Sequence, residues 1–259
     1  MKHALITAAL LGLMISPAFA QNVPELPFES VPNPLKLPAD IHFGEIAGVA
    51  VNSHGHVFVF SRGGSSHGPA YMATAAQLLE FDADGNYVRE IGKNLNAWSY
   101  AHAVRIDPED NIWVVDKGSN MILRFTPEGH VDRVFGRKAE ASHIQVPPDW
   151  ETQMARKFER MGVAIEVPEG INPRNPLPVH RDNVFNQPTD VAWDSEGSSY
   201  FSDGYINSRV GKVNARGEWI ASWGSLGTGP GQFDPPHGIA VSPADEIYVA
   251  DRGNRRIQV

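Results

Sequence analysis

The sequence predicts an all-β fold, a β-propeller built of four-stranded blades, and three observations predict it. Short apolar runs alternate with tight turns rich in Gly, Asp, Asn and Ser, the pattern of successive antiparallel strands. These runs recur as larger units spaced by roughly 40 to 50 residues, a period that marks a repeat architecture in which each unit buries its faces against its neighbours. Finally, Ala47, His102, Thr189 and His237 each stand 14 residues ahead of Ser61, Asp116, Asp203 and Asp251. A spacing that stays constant while the lengths between units vary identifies one hairpin, repeated.

The elements follow in order. Residues 1–20 have a basic start (Lys2, His3), an apolar stretch from Ala4 to Ile15 and Ala18-Phe19-Ala20 as an A-x-A cleavage site, so they read as a secretory signal peptide. Residues 21–45 form an N-terminal extended segment, and residues 46–259 the propeller. The first blade runs Gly48 to Val51, Val57 to Phe60, Leu78 to Phe81 and Tyr87 to Ile91. The second runs Ala103 to Ile106, Ile112 to Val115, Ile122 to Phe125 and Val131 to Phe135. The third uses Asp190 to Trp193, Ser199 to Ser202, Arg209 to Val213 and Trp219 to Trp223. A fourth opens at Pro236, runs through Gly238 to Val241 and Ile247 to Ala250, and reaches Val259 in its third strand. Closed propellers need roughly four to eight blades, so about three and a half predict a piece of a longer protein, unless oligomerisation completes the ring. An insertion, residues 139–185, separates the second and third blades. Within it Trp150, Met154, Phe158 and Met161 follow helical spacing, which predicts a helix from Asp149 to Met161 that packs on the propeller or covers its active face.

Composition narrows the function. The net charge is −8, with 22 Lys and Arg scattered against 30 Asp and Glu, which excludes the clustered cations of a nucleic-acid binder. No stretch approaches the 18 or so apolar residues of a membrane span, so membrane embedding is not expected. There are 0 cysteines, hence neither a disulfide framework nor a lipidation site after the leader. A periplasmic or secreted bacterial protein fits these features.

The two columns meet in space. In a blade the innermost strand leaves one face and the second strand returns to it, so the start of the first and the end of the second are neighbours. After the closing column the sequence reads Arg62, Lys117, Gly204-Tyr205 and Arg252. Two histidines in register, His102 and His237, are thus ringed by cations and a tyrosine. A single histidine at a strand start is usually a hydrogen-bonding blade residue; two in register make metal binding an even alternative. Asp251-Arg252-Gly253-Asn254 is a common blade turn, and Arg62 precedes a Gly/Ser-rich loop where it could simply be solvated. Tyr205 is more telling, because its turn is one residue longer than the corresponding turns.

Phe185-Asn186-Gln187-Pro188-Thr189-Asp190-Val191-Ala192, Ser202 to Arg209, Gly231-Gln232-Phe233 with Pro236-His237, and Ala250-Asp251-Arg252 together resemble the peptidyl-α-hydroxyglycine α-amidating lyase (peptidylamidoglycolate lyase) family. That family is a six-bladed propeller of the NHL-repeat class, and the resemblance extends from about Gly48 to the end, the insertion excepted. It implies Zn2+ on His102 and His237, Tyr205 as catalytic phenol, and Arg62 and Arg252 as substrate-binding cations that also favour the phenolate. It implies a structural Ca2+ on the backbone carbonyls of Val49 and Val104. The substrate would be a peptide or small molecule ending in α-hydroxyglycine, split into an amide and glyoxylate. The sequence departs from the family in three ways. The blade that carries the third zinc histidine and a calcium aspartate is not in this sequence, Asn186 and Ile206 stand where the family has a cysteine pair, and the insertion is additional. A non-catalytic exported propeller that binds a peptide, protein or glycan is the main alternative. A calcium-dependent hydrolase fits less well, since this face offers His, Arg and Tyr rather than Glu, Asn and Asp.

Overall fold

The computed structural model describes residues 25–63, 76–138 and 182–259, and the helix expected at Asp149–Met161 lies outside them. Residues 25–33 form no strand, and a second unit begins at Pro34. That unit is built of consecutive antiparallel sheets, each one blade.

Blade I comprises β1 (Glu45–Val51), β2 (Val57–Arg62), β3 (Ala76–Phe81) and β4 (Tyr87–Ile91). Blade II comprises β5 (Ala101–Ile106), β6 (Ile112–Asp116), β7 (Met121–Phe125) and β8 (Val131–Gly136). Blade III comprises β9 (Asp190–Trp193), β10 (Ser199–Asp203), β11 (Arg209–Val213) and β12 (Trp219–Trp223). A short parallel pair, β13 (Ser225–Leu226) with β14 (Gln232–Phe233), leads into blade IV, made of β15 (Pro236–Val241), β16 (Ile247–Asp251) and β17 (Arg256–Gln258). Within each blade the strands pair in chain order, so every connection inside a blade is a hairpin. The strands match the sequence reading, extended by a few residues at the start of the inner strands.

The alternation of side chains along each strand decides how blades stack. Val114, Leu123 and Phe125 of blade II pack towards blade I, against Phe58, Phe60 and Trp98. Their sequence neighbours Trp113, Val115 and Ile122 point the other way, to Phe135, Phe185 and Phe201 on the side of blade III. Val210, Phe233, Ile239 and Val249 continue the core between blades III and IV. On its far face blade I is covered by its own N-terminal segment, where Leu35, Leu37 and Phe43 pack on Val59, Leu79 and Phe81. That segment is pinned by Lys36 N–H donating to the Gly85 carbonyl at 2.8 Å.

Hairpin turns are set by side chains that imitate backbone acceptors. Asp82, Asp107 and Asp194 each accept from the amides two and four residues on, as in Asp107 Oδ1 with Glu109 N at 3.1 Å and Asn111 N at 2.8 Å.

Candidate active site

The closing column is the clamp that holds the site. Asp116, Asp203 and Asp251 are fully buried, and each accepts the amide of the residue 17 positions earlier: Ser99, Asn186 and Asp234, at 2.8, 2.8 and 2.7 Å. Ser61 does the same for Gly44 at 3.0 Å. One bond repeated in four blades ties the loop entering the inner strand to the end of the second strand. Asp116 also takes Tyr100 N at 3.0 Å and Ser119 N at 2.9 Å, while Asp203 takes Asn207 Nδ2 at 2.6 Å and Arg209 Nε at 3.1 Å.

The other column lies on β-bulges. Pairing slips between Ile46 and Gly48, between Ala101 and Ala103, and between Pro236 and Gly238, so Ala47, His102 and His237 are each the extra residue of their inner strand. A bulge frees a side chain from strict alternation and re-aims it, here into the mouth of the propeller. His102 and His237 end with ring centroids 4.8 Å apart.

The third member, Thr189, supplies support. His102 Nδ1 lies 2.7 Å from the Thr189 carbonyl, and because a carbonyl only accepts, that nitrogen carries the proton and Nε2 is left with its lone pair free. The Thr189 hydroxyl, 2.9 Å from the Pro236 carbonyl, ties this arrangement to the residue before His237. Burial, and then its neighbour His237, press His102 down to a pKa of about 3. Burial followed by the Arg252 charge lowers His237 to about 4. Both rings are neutral at physiological pH, the form a metal requires.

Tyr205 completes the cluster. Its hydroxyl lies 3.0 Å from His237 Nε2 and 3.5 Å from His102 Nε2. The turn that presents it has five residues between Asp203 and Arg209, where the turns after Asp116 and Asp251 have four before Met121 and Arg256. Gly204 therefore stands where Lys117 and Arg252 stand in their blades. A Cβ at Gly204 would fall 2.0 Å from the Pro236 carbonyl, so glycine lets this turn close directly onto the strand that carries His237. Lys117 N, Tyr205 N and Arg252 N donate to Tyr100, Gln187 and Pro235 carbonyls at 3.0, 3.3 and 3.1 Å, so one backbone contact presents all three side chains.

The predicted cations converge, with unequal freedom. Lys117 Nζ sits 3.5 Å from the Tyr205 ring centre and Arg252 Cζ 5.3 Å from it. Arg62 is committed elsewhere: Nε donates to the Ala101 carbonyl at 2.9 Å, Nη1 meets Glu45 Oε1 at 2.7 Å, and its face lies 4.0 Å from the centre of Tyr100. Tyr100 and Glu45 carry no signal of this role in the sequence, because both meet Arg62 through the fold.

These residues fit part of a zinc site. Two neutral imidazoles present Nε2 atoms to one point, with the tautomer of His102 fixed. Among the described residues no group of three or more His, Cys, Asp or Glu converges. The calcium expectation fits less well. The Val104 carbonyl accepts Arg105 Nη1 at 3.0 Å, and Arg105 Nη2 reaches Asp190 Oδ2 at 2.8 Å, so a guanidinium already occupies one of the two carbonyls expected to hold that ion.

Fold and site together define a β-propeller, and within it residues 233–259 match the NHL repeat model. Three relatives are similar to most of this chain. Peptidylglycine alpha-amidating monooxygenase of Rattus norvegicus is 28% identical over 235 residues, covering 83% of this chain and 20% of that protein. Peptidyl-alpha-hydroxyglycine alpha-amidating lyase 1 of Drosophila melanogaster is 25% identical over 242 residues, covering 85% of this chain and 38% of its own length. NHL repeat-containing protein 3 of Mus musculus is 27% identical over 223 residues, covering 82% of this chain and 50% of that one. The chain thus spans from a fifth to a half of these relatives. The solved structure of a streptogramin B lyase superposes with a TM-score of 0.51 at 14% identity, over 84% of this chain and 52% of that one, which shows the shared propeller fold.

Proposed function

We propose that the chain carries the active face of a peptidylamidoglycolate lyase-like enzyme acting in the periplasm or outside the cell. It would split a terminal α-hydroxyglycine into an amide and glyoxylate. The observation that carries this reading is the Tyr205 hydroxyl within reach of the Nε2 atoms of both His102 and His237, inside a ring of cations.

Zinc held by His102 and His237 would act as a Lewis acid on the substrate hydroxyl, easing loss of its proton. Tyr205 would take that proton. The oxygen's electron pair then becomes the new carbonyl, and the C–N pair leaves with nitrogen. Nitrogen gains a proton, which Tyr205 can return, so atoms balance without water or a redox partner. The cations hold the substrate carboxylate and orient its α-carbon towards Tyr205.

The test is glyoxylate release from α-hydroxyhippurate by zinc-supplemented protein. In Tyr205→Phe the turnover number should fall by roughly 10² to 10⁴, the usual weight of a general base, while zinc content is unchanged. Undiminished turnover in that variant would remove Tyr205 from the chemistry. A second reading, a non-catalytic binding propeller, is favoured by the similarity to NHL repeat-containing protein 3, whose name carries no activity. Folded protein with neither zinc nor glyoxylate would establish it.

A further inference from the structure

We propose that Lys117, rather than Arg62, joins Arg252 in the carboxylate grip of this site. The inference rests on the lyase reading for the identity of the substrate, but the grip itself stands on the arrangement of the cations.

Arg62 has two of its three nitrogens engaged, by Ala101 and Glu45, and one face covered by Tyr100. Its side chain is only 14% exposed, and its charge is already met by a carboxylate. A guanidinium so held joins blade I to blade II and has little left for a bidentate contact with substrate. Lys117 and Arg252 are in the opposite situation. Among the described residues neither side chain has an ion-pair or hydrogen-bond partner, yet both are directed over the Tyr205 ring. Cations that cluster without an anion repel one another, and an arriving carboxylate removes that repulsion. Lys117 registers it: burial, then Arg62 and Arg252, lower its pKa to about 8. Its field also reaches both imidazoles. A ligand with a hydroxyl next to a carboxylate would therefore place the hydroxyl at the histidines and Tyr205, and the carboxylate at Lys117 and Arg252. Sequence spacing exposed the position of Lys117 but gave it no role, since a lysine after a blade aspartate is ordinarily solvated.

The probe is glycolate, which has that hydroxyl and carboxylate but no nitrogen to expel, titrated calorimetrically into the protein. Lys117→Met should weaken glycolate at least about tenfold, equivalent to about 1.4 kcal/mol, and Lys117→Arg should restore most of the loss. Neutral glycolamide should be indifferent to either change. Glycolate binding to Lys117→Met as tightly as to the unaltered protein would overturn the grip, and so would the absence of saturable glycolate binding. Melting curves confirm that each variant is folded, and Lys117→Gln gives a second removal of charge should the methionine variant fail to fold. Activity separates the two proposals. Glycolate binding that depends on Lys117, without glyoxylate formation from α-hydroxyhippurate, sinks the lyase reading and leaves the grip. Turnover whose KM is unmoved in Lys117→Met sinks the grip and leaves the lyase.

Discussion

Two adjacent positions in the same turn have opposite fates. Asp116 is sealed among three backbone amides, while Lys117 beside it has no carboxylate among the described residues. The contrast recurs at Asp251, which accepts from Asp234 N, Asn254 and Arg256, and at its neighbour Arg252, which has no ion-pair partner among the described residues. The blade assigns one residue of the turn to its own cohesion and leaves the next with unmet charge facing the mouth. Satisfied polar groups fix geometry, and unsatisfied ones await a ligand. That is why residues of one short turn must be judged by their partners rather than by their spacing.

The contrast breaks most visibly if the clamp is removed. Asp116→Ala should cost about 3 kcal/mol or more, because buried amides of Ser99 and Ser119 lose their acceptor. Ser61→Ala, which frees one amide in a part-buried setting, should cost about 1 kcal/mol. Equilibrium urea unfolding ranks them, and equal losses would show that the column does not hold the blades.

The next effect comes from the one turn where the rule is modified. In blade III glycine follows the aspartate and Tyr205 is displaced one position on. Gly204→Ala puts a methyl group against the Pro236 carbonyl and must push the turn away from β15. We expect a loss of about 1 to 3 kcal/mol, typical of overpacking, with a larger fall in turnover than Tyr205's own burial would suggest, because the hydroxyl leaves the reach of His237. A variant that kept both stability and activity would show that the close approach is not needed.

Much of this was legible in the sequence. Short apolar runs between tight turns gave the strands, whereas the opposite faces on which Val114 and Trp113 stack were hidden in a run that is apolar throughout. The constant 14-residue interval brought His102 and His237 together, and the extra residue singled out Tyr205. What stayed hidden depends on contacts between blades. Arg62 looked as free as Arg252, since nothing local shows that Glu45 and Tyr100 take up its charge and face. Val104 looked like a bare carbonyl, since Arg105 folds back on it only when Asp190 of the next blade draws the guanidinium across. Bulges at His102 and His237 likewise belong to pairing with the second strand. Spacing reports position along a strand; the partner of a charge is chosen in three dimensions.

The smallest effect tests the contrast from the other side, because unmet charge should be a cost to the fold. Lys117 has a pKa of about 8 in the folded protein against an ordinary 10.5. Between those values the unfolded chain holds a proton that the folded chain has released, so stability rises with pH across that window and the full cost is present below it. Solvent screening of this half-buried group holds the cost to on the order of 1 kcal/mol. Lys117→Met should therefore be slightly more stable than the unaltered protein at pH 7, and its stability should lack the rise from pH 8 to 10.5. Saturating glycolate should reverse the order, since the ligand stabilises only the protein that binds it. The same substitution in Asp116's place could never stabilise, and a Lys117→Met protein less stable than its parent without ligand would mean that this lysine, too, belongs to the clamp.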